Sequence, residues 1–498
     1  MNSYKTTIGL EIHAELKTKT KMFCNSKNDT EEKTPNVNIC PVCMGHPGTL
    51  PTINKEAVKK VLKVGVALGA DTADFSEFDR KNYFYPDIPK GYQISQYKYP
   101  LVKNGSLNGV KITRIHLEED TAKSSHDIGD YSLVDFNRAG IPLMELVTEP
   151  VIHNASEAAD FAKELQLLLR YLGASDANME KGEMRVEANV SVSKISTSSA
   201  DRLNLPPESD PPQAEKSKIL GTKVEVKNLN SFRAVERAIA YETERQIAVI
   251  ERGEKVIQET RGWDEGGQKT FSQRLKEESH DYRYFPDPDL PKLKISEIPE
   301  FSEANLRKEI PELPWEKRER LKKDFGLKDE AVEIYVQDTE TGKFFELVAK
   351  DLADKGKRDA IAIASNYIIS DLTGLIQEKN PLIGEIKIDP EMFAKLVGMA
   401  ASGEISSRGA KDVLKIMFEE RGDPEQIVKE KGLAQTSDDS FIKNIVEEVV
   451  IKNPAVAEDY KNGKEAALQF LVGQGMQLSK GKANPGVLQK LLKEKLGK

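Results

Sequence analysis

The sequence predicts an α+β protein: an N-terminal domain built on an antiparallel-type sheet with helices, then an all-helical domain and an all-helical tail. Three observations carry this. Four N-terminal segments alternate apolar and polar residues with the period of two expected of half-exposed strands. Three longer segments in the same region repeat apolar residues at helical spacing between start and stop signals. From about residue 302 onward nearly everything has helical periodicity.

The first strand pattern is "TIGLEIHAEL", with Ile8, Leu10, Ile12, Ala14 and Leu16 on one face and Glu11, His13 and Glu15 on the other. "INKEAVKKVLKVGVALGA" follows as a helix with Asn54 as N-cap and Gly69 near its end. "VKITRIHLEEDTAK" is the second strand; Arg114, His116, Glu118 and Asp120 share one face, and Ile115, Leu117 and Glu119 the other. "NASEAADFAKELQLLLRYLG" aligns Phe161, Leu165, Leu168, Leu169 and Leu172 on one helical face and stops at Gly173. "EMRVEANVSV" sets Met184, Val186, Ala188, Val190 and Val192 against Arg185, Glu187, Asn189 and Ser191. The Ser/Pro-rich stretch at about 194–218 has the composition of a disordered or surface insertion. "TKVEVKNLNS" opposes Val224 and Val226 to Lys223, Glu225 and Lys227, and a third helix runs from a Ser231 cap to Gly253.

These elements define a first domain, residues 1–293. The proline-punctuated "PDPDLPKLKISEIPE" links it to a helical domain at 294–402, and the Gly/Ser break in "AASGEISSRGAKDVL" precedes a helical tail at 403–498. The tail ends in "QLSKGKANPGVLQKLLKEKLGK", where Lys480, Lys482, Lys490, Lys493, Lys495 and Lys498 concentrate positive charge. A lysine-rich helix is commonly a solvated face; the "SKGKANP" loop before it favours a phosphate-contacting surface.

At 498 residues the chain exceeds one ordinary core, and its net charge of −8 argues against a protein that coats nucleic acid non-specifically. A local basic patch for RNA is compatible with that balance. No apolar run approaches the ~20 residues of a membrane span, and the N-terminus has no signal-peptide pattern, so a cytoplasmic location is expected. Three clustered cysteines, Cys24, Cys40 and Cys43, suggest a metal site or bystander thiols and not a disulfide framework.

The chemistry of the polar faces is more informative than their alternation. Histidine and several carboxylates at i, i+2 spacing suit Mg²⁺ with a bound nucleotide, with nearby cations balancing phosphate charge. Adjacent carboxylates such as Glu118, Glu119 and Asp120 repel one another and require a cation, a metal or water. There is no G-x-x-x-x-G-K-[ST], so nucleotide use is not of the P-loop kind. There is no G-x-S-x-G elbow either, and the cysteines lack a glutaminase context. Any nitrogen to be transferred must arrive from elsewhere.

"IGLEIHAELKTKTKMFC", "PVCMGHPGTLPTIN", "KNYFYPDIPKGYQISQY", "IHLEEDTAK", "VDFNRAGIPLMELVTEP", "KVEVKNLNSFRAVERAIAYE", "DYRYFPDPDLP" and "GKANP" occur in family order. Together they resemble the GatB family, the B subunits of the Asp/Glu-tRNA amidotransferase, over essentially the whole chain apart from the insertion. The resemblance implies a heterotrimer with a glutaminase A subunit, which sends ammonia through a tunnel, and a small C subunit. It implies that the GatB chain uses ATP and Mg²⁺ to phosphorylate the side-chain carboxylate of Glu or Asp mischarged on tRNA. Ammonia then displaces the phosphate. The implied fold is a sheet-based cradle, a helical domain and a YqeY-like tail that grips tRNA.

On this reading Glu11, His13, Glu119, Glu145 and Lys123 are the catalytic candidates, with Glu11, His13 and Glu119 holding Mg²⁺ and Lys123 meeting phosphate. Glu118, Asp120, Arg185, Glu187, Glu225 and Lys227 complete the cofactor rim. Tyr83, Lys90, Gln93 and Ser95 are candidates for the substrate end or tunnel exit, the alternative being a packed Pro/Gly turn. Lys480, Lys482 and Lys490 are the tRNA candidates, and "DYRYFPDPDL" is expected to be structural around Arg283. Three departures from the family pattern stand out. "EDTAK" replaces "EDAGK", Glu187 stands for the usual Asp, and Cys24 lacks the partner of a C-x-C. Cys40 and Cys43 keep their spacing with His46 as a candidate fourth ligand, leaving zinc and buried thiols as the two readings. A different class, a non-catalytic scaffold presenting mischarged tRNA, leaves the carboxylate face without a purpose.

Overall fold

The computed structural model describes residues 3–125, 129–195, 220–275, 282–379, 388–435, 439–479 and 481–497. The insertion lies almost wholly outside them, as do Lys480 and Lys498. The chain forms two compact units, Met1–Pro314 and Trp315–Lys498.

The long strands of the first unit are β1 (Tyr4–Glu15), β2 (Asp79–Asn82), β3 (Tyr92–Ser95), β4 (Val110–Glu119), β5 (Pro142–Thr148), β6 (Met184–Lys194), β7 (Val224–Leu229), β8 (Glu259–Asp264) and β9 (Lys269–Leu275). The main sheet runs β9-β8-β7-β6-β1-β5-β4 and ends in two short strands, Val102–Lys103 and Asp71–Thr72. Its pairs are antiparallel except β7–β8, which is parallel. The exception has a cause: a helix, Phe232–Glu251, intervenes between those strands, and a helical crossover is what lets consecutive strands run the same way. The β2–β3 hairpin pairs with Phe285–Pro286 in a separate three-stranded sheet.

Three helices form where the sequence places them: α1 (Lys55–Ala67), α2 (Ala155–Tyr171) and α3 (Phe232–Glu251). The side chains of Asn54, Asn154 and Ser231 accept from the first-turn N–H groups, as N-caps do. Gly69, Gly173 and Gly253 follow their C-termini in left-handed conformations. Phe161, Leu165, Leu168 and Leu169 of α2 are fully buried. Each such side chain contributes about 1.5–3 kcal/mol of burial.

The apolar strand faces, with Leu10, Ile12, Ile115, Leu117, Leu146, Val186, Val190 and Val226 at no more than 1 % exposure, form the core. Helix α1 packs against β4 and α3 against β6. Gly65 lets α1 approach closely, since a Cβ there would stand 2.6 Å from a Val102 methyl. The polar faces are thereby left on the other side of the sheet, all in one register.

The second unit is helical among its described residues. One part is centred on Tyr335 stacked on Phe345 at 4.4 Å, and another on Ile442, Val449, Tyr460, Leu471, Leu488 and Leu492. The Gly/Ser break falls between helices Pro390–Ala401 and Ser407–Glu420. Asn484 of "GKANP" caps the last helix, Pro485–Leu496, by accepting from Gly486 and Val487 N–H.

Candidate active site

Strand register assembles the polar cluster. His13 lies opposite Glu145 on β5 and Arg185 on β6, Glu145 lies opposite His116 on β4, Glu11 lies opposite Glu187, and Asn189 lies opposite Glu225. Directly opposed residues point to the same side of a sheet, so four carboxylates, two histidines, an arginine and an asparagine converge without any loop.

His13 Nε2 is 3.4 Å from Glu145 Oε2, 3.5 Å from Glu118 Oε1 and 4.0 Å from Glu11 Oε1. His116 Nε2 is 3.5 Å from Glu145 Oε2, and Arg114 donates to Glu145 Oε1 at 3.2 Å. Lys227 Nζ lies 2.9 Å from Glu187 Oε2. Burial opposes charge on His13, but hydrogen bonds to Glu118 and Glu145 outweigh it and raise its pKa well above the usual value. Burial also opposes charge on Glu118 and Glu145; His13 and, for Glu145, His116 hold both below the ordinary carboxylate range. Burial and then the charge of Glu145 push Glu11 up to about 7. His116 is driven down by burial.

These residues fit a hard divalent cation. The sets Glu11–His13–Glu145, His116–Glu118–Glu145 and Glu11–Glu187–Glu225 each bring ligand atoms within 4.8 Å of one another. The buried Glu118 Oε2 and Asn189 Oδ1 accept no hydrogen bond from the described residues. A buried carboxylate oxygen left without a donor is a costly state that an oxygen-seeking cation relieves.

Glu119 corrects the expected grouping with Glu11 and His13. Alternation along β4 turns it to the opposite face, where Lys90 pairs with Oε1 and Ile94 N–H donates to the same oxygen at 2.9 Å. Gln93 Nε2 donates to the Glu119 carbonyl at 2.7 Å and Tyr83 donates to Gln93 Oε1 at 3.3 Å. Tyr83, Lys90 and Gln93 therefore gather around Glu119, while Ser95 is buried opposite Asp79.

Asp120 lies on the polar side just past β4. Arg185 Nη2 donates to both its oxygens, at 2.9 and 2.8 Å, and Arg138 Nε is 3.6 Å away. Lys123 is exposed on a small two-stranded sheet, Lys123–Ser125 with Leu133–Asp135, outside the main sheet. Ala122, in the place of the family's glycine, is not among the residues with positive φ, so alanine carries no strain there.

The three cysteine sulphurs also come within 4.8 Å of one another, close enough to share a metal ion. His46 is exposed and does not join them. Lys21, fully buried, places Nζ 3.9 Å from Cys43 Sγ, and Ser26 Oγ is 3.8 Å from the same atom. A hydrogen bond from Cys24, with help from Lys21, brings the Cys43 thiol down to about 4 against the effect of burial.

Sequence reasoning missed Lys81, Arg138 and Glu15 as residues that face the charged groups of the cluster. Lys81 on β2 faces Tyr83 and Tyr282 at 5.7 and 5.1 Å from their ring centroids. Burial disfavours its charge, yet Glu118 and the surrounding groups raise its pKa. The paired cations of "DRKN" were the available signal. "DYRYFPDPDL" ties to β2 through Arg80, which donates to Asp287 at 2.8 Å and Asp289 at 3.0 Å; Arg283 itself supplies a left-handed backbone, φ 45°. In the tail, Lys482 and Lys490 are exposed and Lys495 pairs with Glu447 at 2.8 Å.

Comparisons with known proteins agree on one family. Residues 6–299 match the family described as the GatB/GatE catalytic domain, and residues 343–496 match the GatB domain. Curated proteins named as the B subunit of the aspartyl/glutamyl-tRNA(Asn/Gln) amidotransferase are similar over their whole length. One from Thermoanaerobacter pseudethanolicus is 42 % identical, covering 99 % of this chain and 100 % of its own. One from Thermodesulfovibrio yellowstonii is 44 % identical over 98 % of each, and one from Carboxydothermus hydrogenoformans is 43 % identical over 100 % of each.

Proposed function

Because the chain belongs to the GatB family of tRNA-dependent amidotransferase chains, we propose that its sheet face activates the side-chain carboxylate of Glu or Asp mischarged on tRNA. The γ-phosphoryl group of ATP passes to a carboxylate oxygen, releasing ADP; ammonia then attacks the carbonyl carbon and inorganic phosphate leaves. The observation that carries this is the buried His/Glu cluster of β1, β4, β5 and β6, with a Glu118 oxygen that accepts no hydrogen bond among the described residues.

Glu11, His13, Glu118 and Glu145 would hold Mg²⁺, with Glu187 and Glu225 available for a second ion. Bound Mg²⁺ supplies the positive charge that lets two anions approach. Arg114, Lys227 and Lys81 ring the acidic centre and offset the charge gathered there. Asp120 fixes Arg185 at the rim through two hydrogen bonds. Glu119, held by Lys90 and Gln93, belongs in this reading to the substrate end, where ammonia arrives from the glutaminase. The heterotrimer with the glutaminase and the small third chain, a cytoplasmic location and tRNA contacts through the lysine-rich tail, including Lys480, Lys482 and Lys490, are part of the same proposal. A zinc ion at Cys24, Cys40 and Cys43 would have three sulphur ligands and no fourth from His46.

The test replaces glutamine by ammonium chloride in the reconstituted complex. Glu11→Gln and His13→Ala are expected to make less than about 1 % of wild-type Gln-tRNA or Asn-tRNA under either nitrogen source, since the missing step is activation. Restoration by ammonium would move these residues to ammonia supply and defeat the assignment.

A further inference from the structure

We infer that Thr260, on β8, is a positioning residue for this reaction, acting through Glu225. The inference rests on the reading of the polar face as the nucleotide–metal site. The parallel β7–β8 pairing sets Thr260 directly beside Glu225, and Thr260 Oγ1 donates to Glu225 Oε2 at 2.7 Å. Thr260 is 2 % exposed and Glu225 8 %, so the bond is made out of water, where a donor to a carboxylate counts most. Glu225 shares a ligand-sized space with Glu11 and Glu187. Fixing one oxygen by a hydroxyl orients the carboxylate toward those two, as outer partners of metal-binding carboxylates do.

The other side of β8 explains why the hydroxyl is held so firmly. Arg261 points to the helix face; its Nε donates to Thr270 Oγ1 and its Nη2 to the Thr270 carbonyl, both at 2.9 Å. Thr270 Oγ1 donates to Glu242 of α3 at 3.0 Å, and Arg261 Nε lies 3.5 Å from the same carboxylate. Glu242, fully buried, also accepts from Arg245 and Gln246. This clamp locks the strand to the helix. The register with β9 shifts between Thr260 and Arg261, a bulge of the kind that re-aims side chains beside functional sites. A buried ionic network thus holds β8, and its consequence on the site side is one oriented hydroxyl.

Thr260→Val keeps shape and removes the donor; Thr260→Ser restores the donor without the methyl. The experiment measures Mn²⁺ binding to the full chain by the loss of its free-ion electron paramagnetic resonance signal. In the assembled complex it measures KM for ATP, KM for glutamine and kcat. Thr260→Val is expected to weaken Mn²⁺ binding and raise KM for ATP about tenfold, the size of one charge-assisted hydrogen bond. It should leave KM for glutamine unchanged and kcat within about twofold, and Thr260→Ser should recover both values. If the valine variant does not fold, Thr260→Ala takes its place with the same expectations.

Wild-type Mn²⁺ binding and ATP KM in the variant, or failure of serine to rescue, overturns the inference. Glu11→Gln, run alongside, separates the two levels. If it weakens Mn²⁺ binding while Thr260→Val does not, Thr260 alone is misassigned. If neither does, the face is not the metal site.

Discussion

Glu15 and Asp120 meet at the lower edge of the polar face and share a hydrogen bond. Burial and then the Asp120 charge raise Glu15 from 4.5 to about 9. Burial opposes the charge on Asp120, but Arg185 and Arg138 overcome it and hold it at about 2. One proton therefore serves two carboxyl groups near neutrality. The unfolded chain releases the Glu15 proton at its ordinary pKa, so this residue's contribution to stability falls as pH rises from 4.5 to about 9. Asp120 works in the opposite sense: its contribution is complete above the ordinary carboxylate range and is lost as pH falls toward about 2. Glu15→Gln removes only the first dependence. Its stability relative to wild type, followed by thermal unfolding, is expected to be unchanged near pH ~4.5 and to rise steadily to pH ~9. A difference that is flat with pH contradicts the shared proton. Alternation made Glu15 visible in the sequence, but Asp120 beyond a strand end and Arg138 in a turn are paired with it only by the fold.

At the scale of elements, helices were the most legible, because Asn54, Asn154 and Ser231 mark their starts and glycines their ends. The polar strand faces were nearly as legible, since a period of two needs no tertiary information. What the pattern lacks is the neighbour of each strand; the family resemblance groups Glu119 with Glu11 and His13, whereas alternation turns it to the opposite face. Its partner, Lys90, comes from the β2–β3 hairpin, 29 residues earlier in the chain. Both side chains are largely buried, at 12 % and 7 % exposure. Lys90→Met alone leaves a buried carboxylate without its cation and is expected to cost about 3–5 kcal/mol. Combining it with Glu119→Gln should recover a good part of that loss, a coupling on the order of 1–3 kcal/mol in a double-mutant cycle. Additive losses in urea unfolding would mean that the pair is not coupled. The parallel β7–β8 pair, and with it Thr260, was not legible, because the alternating pattern does not tell a strand which direction its neighbour takes.

At the scale of the whole molecule, each family match falls wholly within one unit, residues 6–299 and 343–496 against units divided after Pro314. The division of labour we propose places carboxylate activation in the first unit and tRNA grip in the second. Deleting residues from about 403 onward is expected to weaken tRNA binding with a shallower salt dependence, while Mn²⁺ binding to the first unit persists. Unchanged tRNA affinity across a salt titration would show that the tail does not grip tRNA. Whether the sheet face transfers phosphate to the aminoacyl carboxylate is decided by following oxygen. Mischarged tRNA carrying ¹⁸O in the side-chain carboxylate is incubated with ATP, glutamine and the assembled complex, and the released phosphate is analysed by mass. One ¹⁸O per phosphate is expected with the wild-type chain, and none above background with Glu11→Gln or His13→Ala. Phosphate free of ¹⁸O from wild type while amide product accumulates, or labelled phosphate at wild-type rate from either variant, would contradict phosphoryl transfer at this face.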